Sequence, residues 1–365
     1  MKRLLLTLVV SLFISTAVKA ETFTIVFPTT PDKGGTAYWG NLTLKHLNKK
    51  LEKYGHNVVP KYIPGQRGKK AMGEWVNKYS KDPRAMMLAN GGNGEAFLIE
   101  PIKGFDYRNY APIGLMNTTI WISSQTNYDP KTMIAKFPSS GGTGFASDMI
   151  ALGMLTCGPD RSYRVDTYIK CFEERLKIVG GFKSRGERRM AFINSLLTAS
   201  RATPQSTMMA NKKIFDAGTH GVLFSHGIRT LDGGKRNDPN APKGHQSFEQ
   251  VYEKTWGVKP SGDVFEAYDL FQAFRDGFQK TIWISKDSKH REVIQLAFND
   301  MINDPTIKKD LDNKLGKFDW YTGLTVDTFS SSLFQKITKK KIENLVELAQ
   351  KTFKYKSAKV KPELF

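Results

Sequence analysis

Ala85-Met86-Met87-Leu88-Ala89-Asn90-Gly91-Gly92-Asn93-Gly94 reads as a short apolar strand running directly into a glycine-rich turn. Earlier in the chain the same design is written twice. Phe23 to Phe27 is an apolar, β-prone strand, followed by a Pro/Gly turn from Pro28 to Thr36 and by Tyr38, Trp39, Leu42, Leu44, Leu47 and Leu51 at helical spacing. Val58 to Tyr62 is a second strand, ending in Pro64-Gly65-Gln66-Arg67-Gly68, with Met72, Trp75, Val76 and Tyr79 marking the helix after it. Strand, turn and helix in alternation specify an α/β architecture built on a parallel sheet.

Working outward, Ile113–Met116 and Thr119–Ser123 read as strands that leave this unit, and a second α/β unit starts near Asn127. Its clearest element is Pro138-Ser139-Ser140-Gly141-Gly142-Thr143-Gly144, leading into a helix through Met154. Leu176–Val179 is a strand followed by Phe182-Lys183-Ser184-Arg185-Gly186, a helix runs from Glu187 to about Leu197, and Val222–Phe224 and Phe278–Ile284 are further strands. Residues 231–246 are polar and turn-rich, a surface loop, and three helical stretches near 287–302, 305–315 and 326–352 close the chain. A strand pattern that leaves the first unit and returns late predicts a first lobe of residues 21–124 plus 285–365 and a second of 125–284. The hinge is then formed by the crossing segments Ile120–Ser124 and Phe278–Ile284.

Lys2 and Arg3, the mostly apolar run Leu4 to Val18, and Val18-Lys19-Ala20 have the order of a secretory signal peptide, residues 1–20, cut before Glu21. The apolar run is shorter than the roughly 20 residues that span a bilayer. The expected location is the periplasm. Cys157 and Cys171 are then read as one disulfide, worth roughly 3 kcal/mol by loop-closure entropy.

The formal net charge is +20. Lys and Arg are scattered through the chain with no helix-turn-helix, zinc-finger or RNA-stacking signature, which disfavours nucleic acid; attraction of an anionic solute fits better, and a generally basic surface explains the charge equally well. The six histidines, His46, His56, His220, His226, His245 and His290, form no metal-binding spacing; His220 and His226 read as surface or hinge residues. No cofactor or metal is called for. Ser139 and Ser140 do not lie in Gly-x-Ser-x-Gly, and the carboxylates show no pairing for acid/base work, so an enzyme is not expected.

Ligands of open α/β sheets sit at the carboxyl ends of strands. Three glycine-rich turns before helices offer backbone N–H donors and a partial positive charge there: Lys33-Gly34-Gly35-Thr36, Asn90 to Gly94 and Ser139 to Gly144. Tyr38 and Phe145 are candidates for an apolar wall beside the ligand, whereas Trp39 reads as core.

The order of these motifs resembles the receptor component of tripartite tricarboxylate transporters, the Bug family of periplasmic binding proteins. The likeness rests on Ile25 to Pro28 with Gly34-Gly35-Thr36, on Pro64-Gly65-Gln66-Arg67-Gly68 and on Leu88 to Gly94. It continues through Phe105-Asp106-Tyr107-Arg108-Asn109-Tyr110-Ala111-Pro112-Ile113-Gly114, Ser139 to Ser147 and Phe182-Lys183-Ser184. It implies a two-lobed periplasmic-binding-protein-like fold with a hinge and an interlobe ligand cleft. The implied ligand is a small carboxylate-bearing anion, handed by a monomer to integral membrane transporter subunits; the same lobes also serve ligand-sensing modules of membrane signalling proteins. The residues implied are Gly34, Gly35, Thr36 and Tyr38, Asn90, Gly91 and Gly92, Ser140, Gly142 and Thr143, and Lys183 and Ser184. The chain departs from the family where Tyr38 stands in place of the usual Asp, where Thr29 to Lys33 lengthen the first loop, and where Thr198-Ala199-Ser200-Arg201 replace the usual Gly-Gly-x-x-Asp. The segment from Cys157 to Cys171 and the 231–246 loop read as insertions.

Overall fold

A computed structural model describes residues 20–31, 34–100, 102–139, 146–182 and 185–365. The elements run β1 (Glu21–Phe27), α1 (Gly34–Leu51), β2 (His56–Tyr62), α2 (Lys69–Glu74), β3 (Ala85–Ala89), α3 (Gly91–Ile99), β4 (Tyr110–Asn117), β5 (Trp121–Gln125) and β6 (Ala135–Pro138). Next come α4 (Ala146–Cys157), α5 (Pro159–Ser162), α6 (Val165–Arg175), β7 (Leu176–Val179), α7 (Arg185–Ile193), β8 (Ala199–Ala202), α8 (Pro204–Asp216) and β9 (His220–Ser225). The remainder is β10 (Ile228–Arg229), β11 (Lys235–Arg236), α9 (Phe248–Trp256), α10 (Asp263–Gly277), β12 (Thr281–Ser285), α11 (Arg291–Ile302), α12 (Pro305–Leu315), β13 (Asp319–Thr322), α13 (Gly323–Gln335) and α14 (Lys339–Lys351).

The first lobe is built on a six-stranded sheet of order β13-β4-β12-β3-β1-β2. β1 is parallel to both β2 and β3, as the repeated strand–turn–helix design requires. β12 is antiparallel to β3 and to β4, which makes the whole sheet mixed. Alternation along the strands sorts side chains onto two faces. Phe23, Ile25 and Phe27 of β1, Met86 and Leu88 of β3, and Ile282 and Ile284 of β12 bury one face against Trp39, Leu44 and Leu47 of α1 and Phe298 and Leu311 of α11 and α12. Val26, Met87 and Trp283 point the other way, into a core that continues through α3 and α10 into α4 of the second lobe.

The second lobe carries the parallel pair β6–β7 and the antiparallel sheet β8-β5-β9. The two meet where Thr198 N donates to Lys136 O at 3.1 Å. β8, absent from the sequence reading, is formed by the very residues that depart from the family pattern.

α10 was also not expected. Its last residues, from Leu270 to Gly277, are all buried, so no amphipathic period marks it. It packs on α3, α13 and α14 of the first lobe and on α4 and α6 of the second. β12 follows it and, although it falls largely before the boundary drawn at residue 285, it lies in the middle of the first sheet. The last expected helix, 326–352, is two: α13 ends at Gln335, and Thr338 caps α14 by accepting from Lys341 N at 3.4 Å. The loop at 231–246 is not free of structure, since Lys235–Arg236 pair with Ile228–Arg229.

Cys157 at the end of α4 and Cys171 in α6 are bonded, with their Cα atoms 5.9 Å apart. Among the described residues no helix is long and apolar enough to cross a membrane.

Candidate functional site

The first-lobe half of the site follows from the parallel pairing of β1 with β3, which sets the two carboxyl ends side by side. α1 starts at Gly34, Gly35 and Thr36. Gly34 has φ +87°, a left-handed conformation that favours glycine. A Cβ built on Gly35 would meet no atom of the described residues within 4 Å. Lys280, directly before β12, is buried beneath it, and its Nζ donates to Gly35 O at 3.1 Å and lies 3.4 Å from Thr36 Oγ1. Sequence reading missed this lysine; only its place at the start of a strand facing Ala89 puts it there. Tyr38 is 53 % exposed on α1, and Trp39 is core, stacked on Trp320 at 5.8 Å.

The turn after β3 is a capping box. Asn90 Oδ1 accepts from Asn93 N at 3.2 Å, and Asn93 Oδ1 accepts from Asn90 N at 3.1 Å. Gly91 N donates to Gln279 Oε1 at 2.9 Å, so that amide is engaged inside the protein. A Cβ on Gly91 would strike the same Gln279 and Arg275, which is why glycine is needed there. Asn90 and Gly92 are the half-buried residues of the turn.

In the second lobe β8 and β9 both run antiparallel to β5, so both carboxyl ends lie where β5 enters from the first lobe. Arg201 stands at the end of β8 and His226 just past β9, with α4 beginning at Ala146, Ser147 and Asp148. Ser140, Gly142, Thr143, Phe145, Lys183 and Ser184 lie outside the described residues.

The two halves meet in a buried charged junction. Arg275 of α10 is its centre: Nη1 lies 2.9 Å from Glu95 Oε1 of α3 and 3.7 Å from Asp148 Oδ2 of α4. Ser147 Oγ donates to the same Glu95 oxygen at 2.7 Å. Asp148 also takes Arg201 Nε at 2.6 Å and His226 Nε2 at 2.8 Å, and His226 Nδ1 is 2.8 Å from Tyr268 OH. His226 is thus fully buried at the hinge rather than on the surface, and His220 is buried too.

Burial drives the Glu95 carboxyl up, against the pull of Arg275. Burial alone would lower Arg275, but Asp148 and Glu95 outweigh it and hold the guanidinium firmly charged. Beside them Asp276 is fully buried and pushed up to about 6, chiefly by desolvation, with Gln272 Nε2 donating to it at 2.7 Å. Sequence could not reveal this junction, because Glu95 and Arg275 are 180 positions apart.

The 231–246 segment ties the lobes on another side. Trp121 Nε1 of β5 donates to Asp238 at 2.7 Å, Lys317 N donates to Asn240 Oδ1 at 2.6 Å, and Arg236 donates to Asp319 of β13 at 2.6 Å. Under it, burial would raise Asp269, but Lys235 and Arg229 hold its carboxyl far below the usual range. A pocket of about 580 Å³ opens beside this segment between Lys235, Ser247, Glu253 and Lys259, and Ser247 bridges Ser225 at the end of β9. No group of His, Cys, Asp and Glu suited to a metal occurs among the described residues.

No family model and no curated protein matches the chain. Solved structures do. MatC from Rhodopseudomonas palustris with bound malate aligns at a TM-score of 0.53 and 13% identity, over 89% of this chain and 98% of that one. An R. palustris protein with adipate aligns at 0.53 and 13%, over 92% and 98%. The periplasmic binding protein BugD gives 0.52 and 13%, over 93% and 99%, and a TctC solute-binding protein from Polaromonas 0.52 and 12%, over 88% and 100%. The likeness drawn from the order of the sequence motifs therefore holds in three dimensions: this chain has the two-lobed α/β fold of the TctC and Bug solute-binding proteins.

Proposed function

We propose that this protein is a periplasmic solute-binding protein that captures a small carboxylate-bearing anion between its lobes and delivers it to a membrane transporter of the tripartite tricarboxylate type. One observation carries the reading. The helix start of α3 meets the start of α4 across a single junction centred on Arg275, and Arg201 at the end of β8 and His226 just past β9 join it through Asp148. Helix starts and fixed cations on two facing edges make a site for an anion that both lobes touch. An anion held by both lobes binds the closed form preferentially and shifts the population toward it. Proteins of the same fold that hold malate and adipate support the choice of carboxylates.

In this reading the Gly35, Thr36 and Gly92 edge supplies N–H and hydroxyl donors from the first lobe, and Ser140, Gly142, Thr143, Lys183 and Ser184 supply them from the second. The protein binds and releases its solute unchanged. Calorimetric titration against di- and tricarboxylates, aromatic acids and neutral sugars tests this, with mass spectrometry of the solute recovered afterwards. Binding of carboxylates, recovered intact, is expected. Binding of neutral sugars alone, or turnover of the solute, would overturn the proposal.

A further inference from the structure

After β9 the chain leaves the second lobe and comes back to it. It first runs beside the turn that joins β4 to β5, where His226 N donates to Ile120 O at 3.2 Å. Two residues later Ile228 is fully buried in the first-lobe core that holds Trp39 and Trp320. The carbonyl of Arg229 accepts from Asn117 Nδ2, at the end of β4, across 2.5 Å. β10 and β11 then pair as a short hairpin, and the chain is back at Gln246, whose carbonyl accepts from Ser225 N at 3.2 Å. With the passages from β4 to β5 and from α10 to β12, the chain thus crosses between the lobes four times, against the two crossings expected at Ile120–Ser124 and Phe278–Ile284.

The returning limb carries a relay of four residues. Trp121 Nε1 donates to Asp238 Oδ2 at 2.7 Å. Asp238 Oδ1 accepts from Asn240 N at 2.9 Å and from Asn240 Nδ2 at 2.8 Å. Asn240 then grips the turn between α12 and β13: its Oδ1 accepts from Lys317 N at 2.6 Å, and its Nδ2 donates to Lys317 O at 3.2 Å. Gly316 has φ +102°, and a Cβ there would come within 2.9 Å of Asn240 Oδ1, so this close approach needs a glycine. Arg236 adds a second grip on Asp319 at 2.6 Å.

The two ends of the relay differ in kind. Trp121 and Asp238 are buried, whereas Lys317 is exposed and Arg236 and Asp319 are 37 % and 44 % exposed. The first-lobe end therefore consists of neutral hydrogen bonds and a screened ion pair, which water can replace without disturbing a core. β13 is the edge strand of the first sheet, so a grip at its start resists rotation of one lobe against the other.

We propose that residues 226–246 are a strap across the lobes and that the relay Trp121–Asp238–Asn240–Lys317 is its clasp. Fastened, it holds the lobes together; unfastened at Lys317, it lets them part so that the solute enters and leaves. The solute's passage rests on the function proposed above, but the clasp acts on the lobes with or without a solute. Because entry and exit both require parting, the clasp governs the two rates together and their ratio less.

The test uses the full mature chain with its native disulfide and with spin labels at Lys213→Cys of α8 and Lys309→Cys of α12, both exposed. Pulsed dipolar spectroscopy then reads the interlobe distance without solute. Asn240→Ala cuts both bonds to Lys317 and leaves Trp121 on Asp238. It should raise the proportion of a longer distance about ten-fold, and Arg236→Gln should raise it less. In rapid mixing with malate and with adipate, Asn240→Ala should speed association and dissociation together, each by about ten-fold. Mere loosening of the binding site would speed dissociation alone. Unchanged distances in both variants, or faster dissociation without faster association, overturn the strap. A wild type that binds no carboxylate overturns the function proposed above, and the distances, which need no solute, still decide the strap. Should Asn240→Ala fail to fold, Arg236→Gln decides by the same measurements.

Discussion

Lys280 Nζ donates to the backbone carbonyl of Gly35 across 3.1 Å, joining the residue before β12 to the first turn of α1, 245 positions earlier in the chain. A buried ammonium in this place does two things. It ties β12 to the first turn of α1, and it puts a full charge under that helix start. Lys280→Gln should therefore weaken carboxylate binding by about 1.5–3 kcal/mol, the range for hydrogen bonds to charged groups. Calorimetry with the best-binding dicarboxylate checks this, and an unchanged affinity would show that Lys280 serves the fold alone.

Gly35→Val tests the opposite edge with less ambiguity than most glycine substitutions. The new Cβ meets no atom of the described residues within 4 Å, and Gly35 is not among the residues with positive φ. The variant should fold with a melting temperature close to that of the wild type. Binding, in contrast, should fall by at least about ten-fold, because the branched side chain takes the space through which the ligand approaches the backbone. Normal affinity in the folded variant would move the ligand elsewhere.

Asp276 gives the protein a pH dependence of defined sign. Its carboxyl is raised from 3.8 to about 6 by burial, against the pull of His226, Arg229 and Arg275. The folded state therefore holds a proton that the unfolded chain releases. That stabilisation is complete below about pH 4 and is lost as the pH rises through about 6. Asp276→Asn keeps the shape without the charge. It should be more stable than the wild type above pH 6, by up to about 3 kcal/mol, with the difference vanishing near pH 4. Urea unfolding at a series of pH values measures it, and a constant difference across that range would refute the assignment.

The Cys157–Cys171 bond joins the end of α4 to α6 and closes a loop of 14 positions. Cys157→Ser with Cys171→Ser should cost about 3 kcal/mol of stability. Ligand affinity at a temperature where the variant is folded should not change. Thermal unfolding and calorimetry on the same sample separate the two effects.

What could be read in the sequence was local. The three strand–glycine–helix units were legible because a period-two run, a turn and a helical period lie within about thirty residues of one another. Gly91 was recognisable as a turn residue, but not as one whose N–H is taken by Gln279, 188 positions away. α10 escaped notice because buried residues surround it on every side at its carboxyl end, leaving no polar stripe to set its period. The charged junction escaped for a related reason. Glu95, Asp148, Arg201 and Arg275 come from four separate elements and His226 from the turn after β9, and no spacing links them. The break between α13 and α14 carried a signal that was passed over, a threonine at the helix start, Thr338.

β12 has a consequence for how the molecule comes into being. It alone joins β3 to β4 in the first sheet. Until Thr281–Ser285 have been synthesised, that sheet exists only as two unconnected pieces, β2-β1-β3 and β4. β13, which would complete the edge, comes later still. The amino-terminal half of a growing chain thus has no finished sheet to collapse onto, and its contacts of longest sequence separation must form last. Completion of the first sheet therefore waits on residues beyond 280.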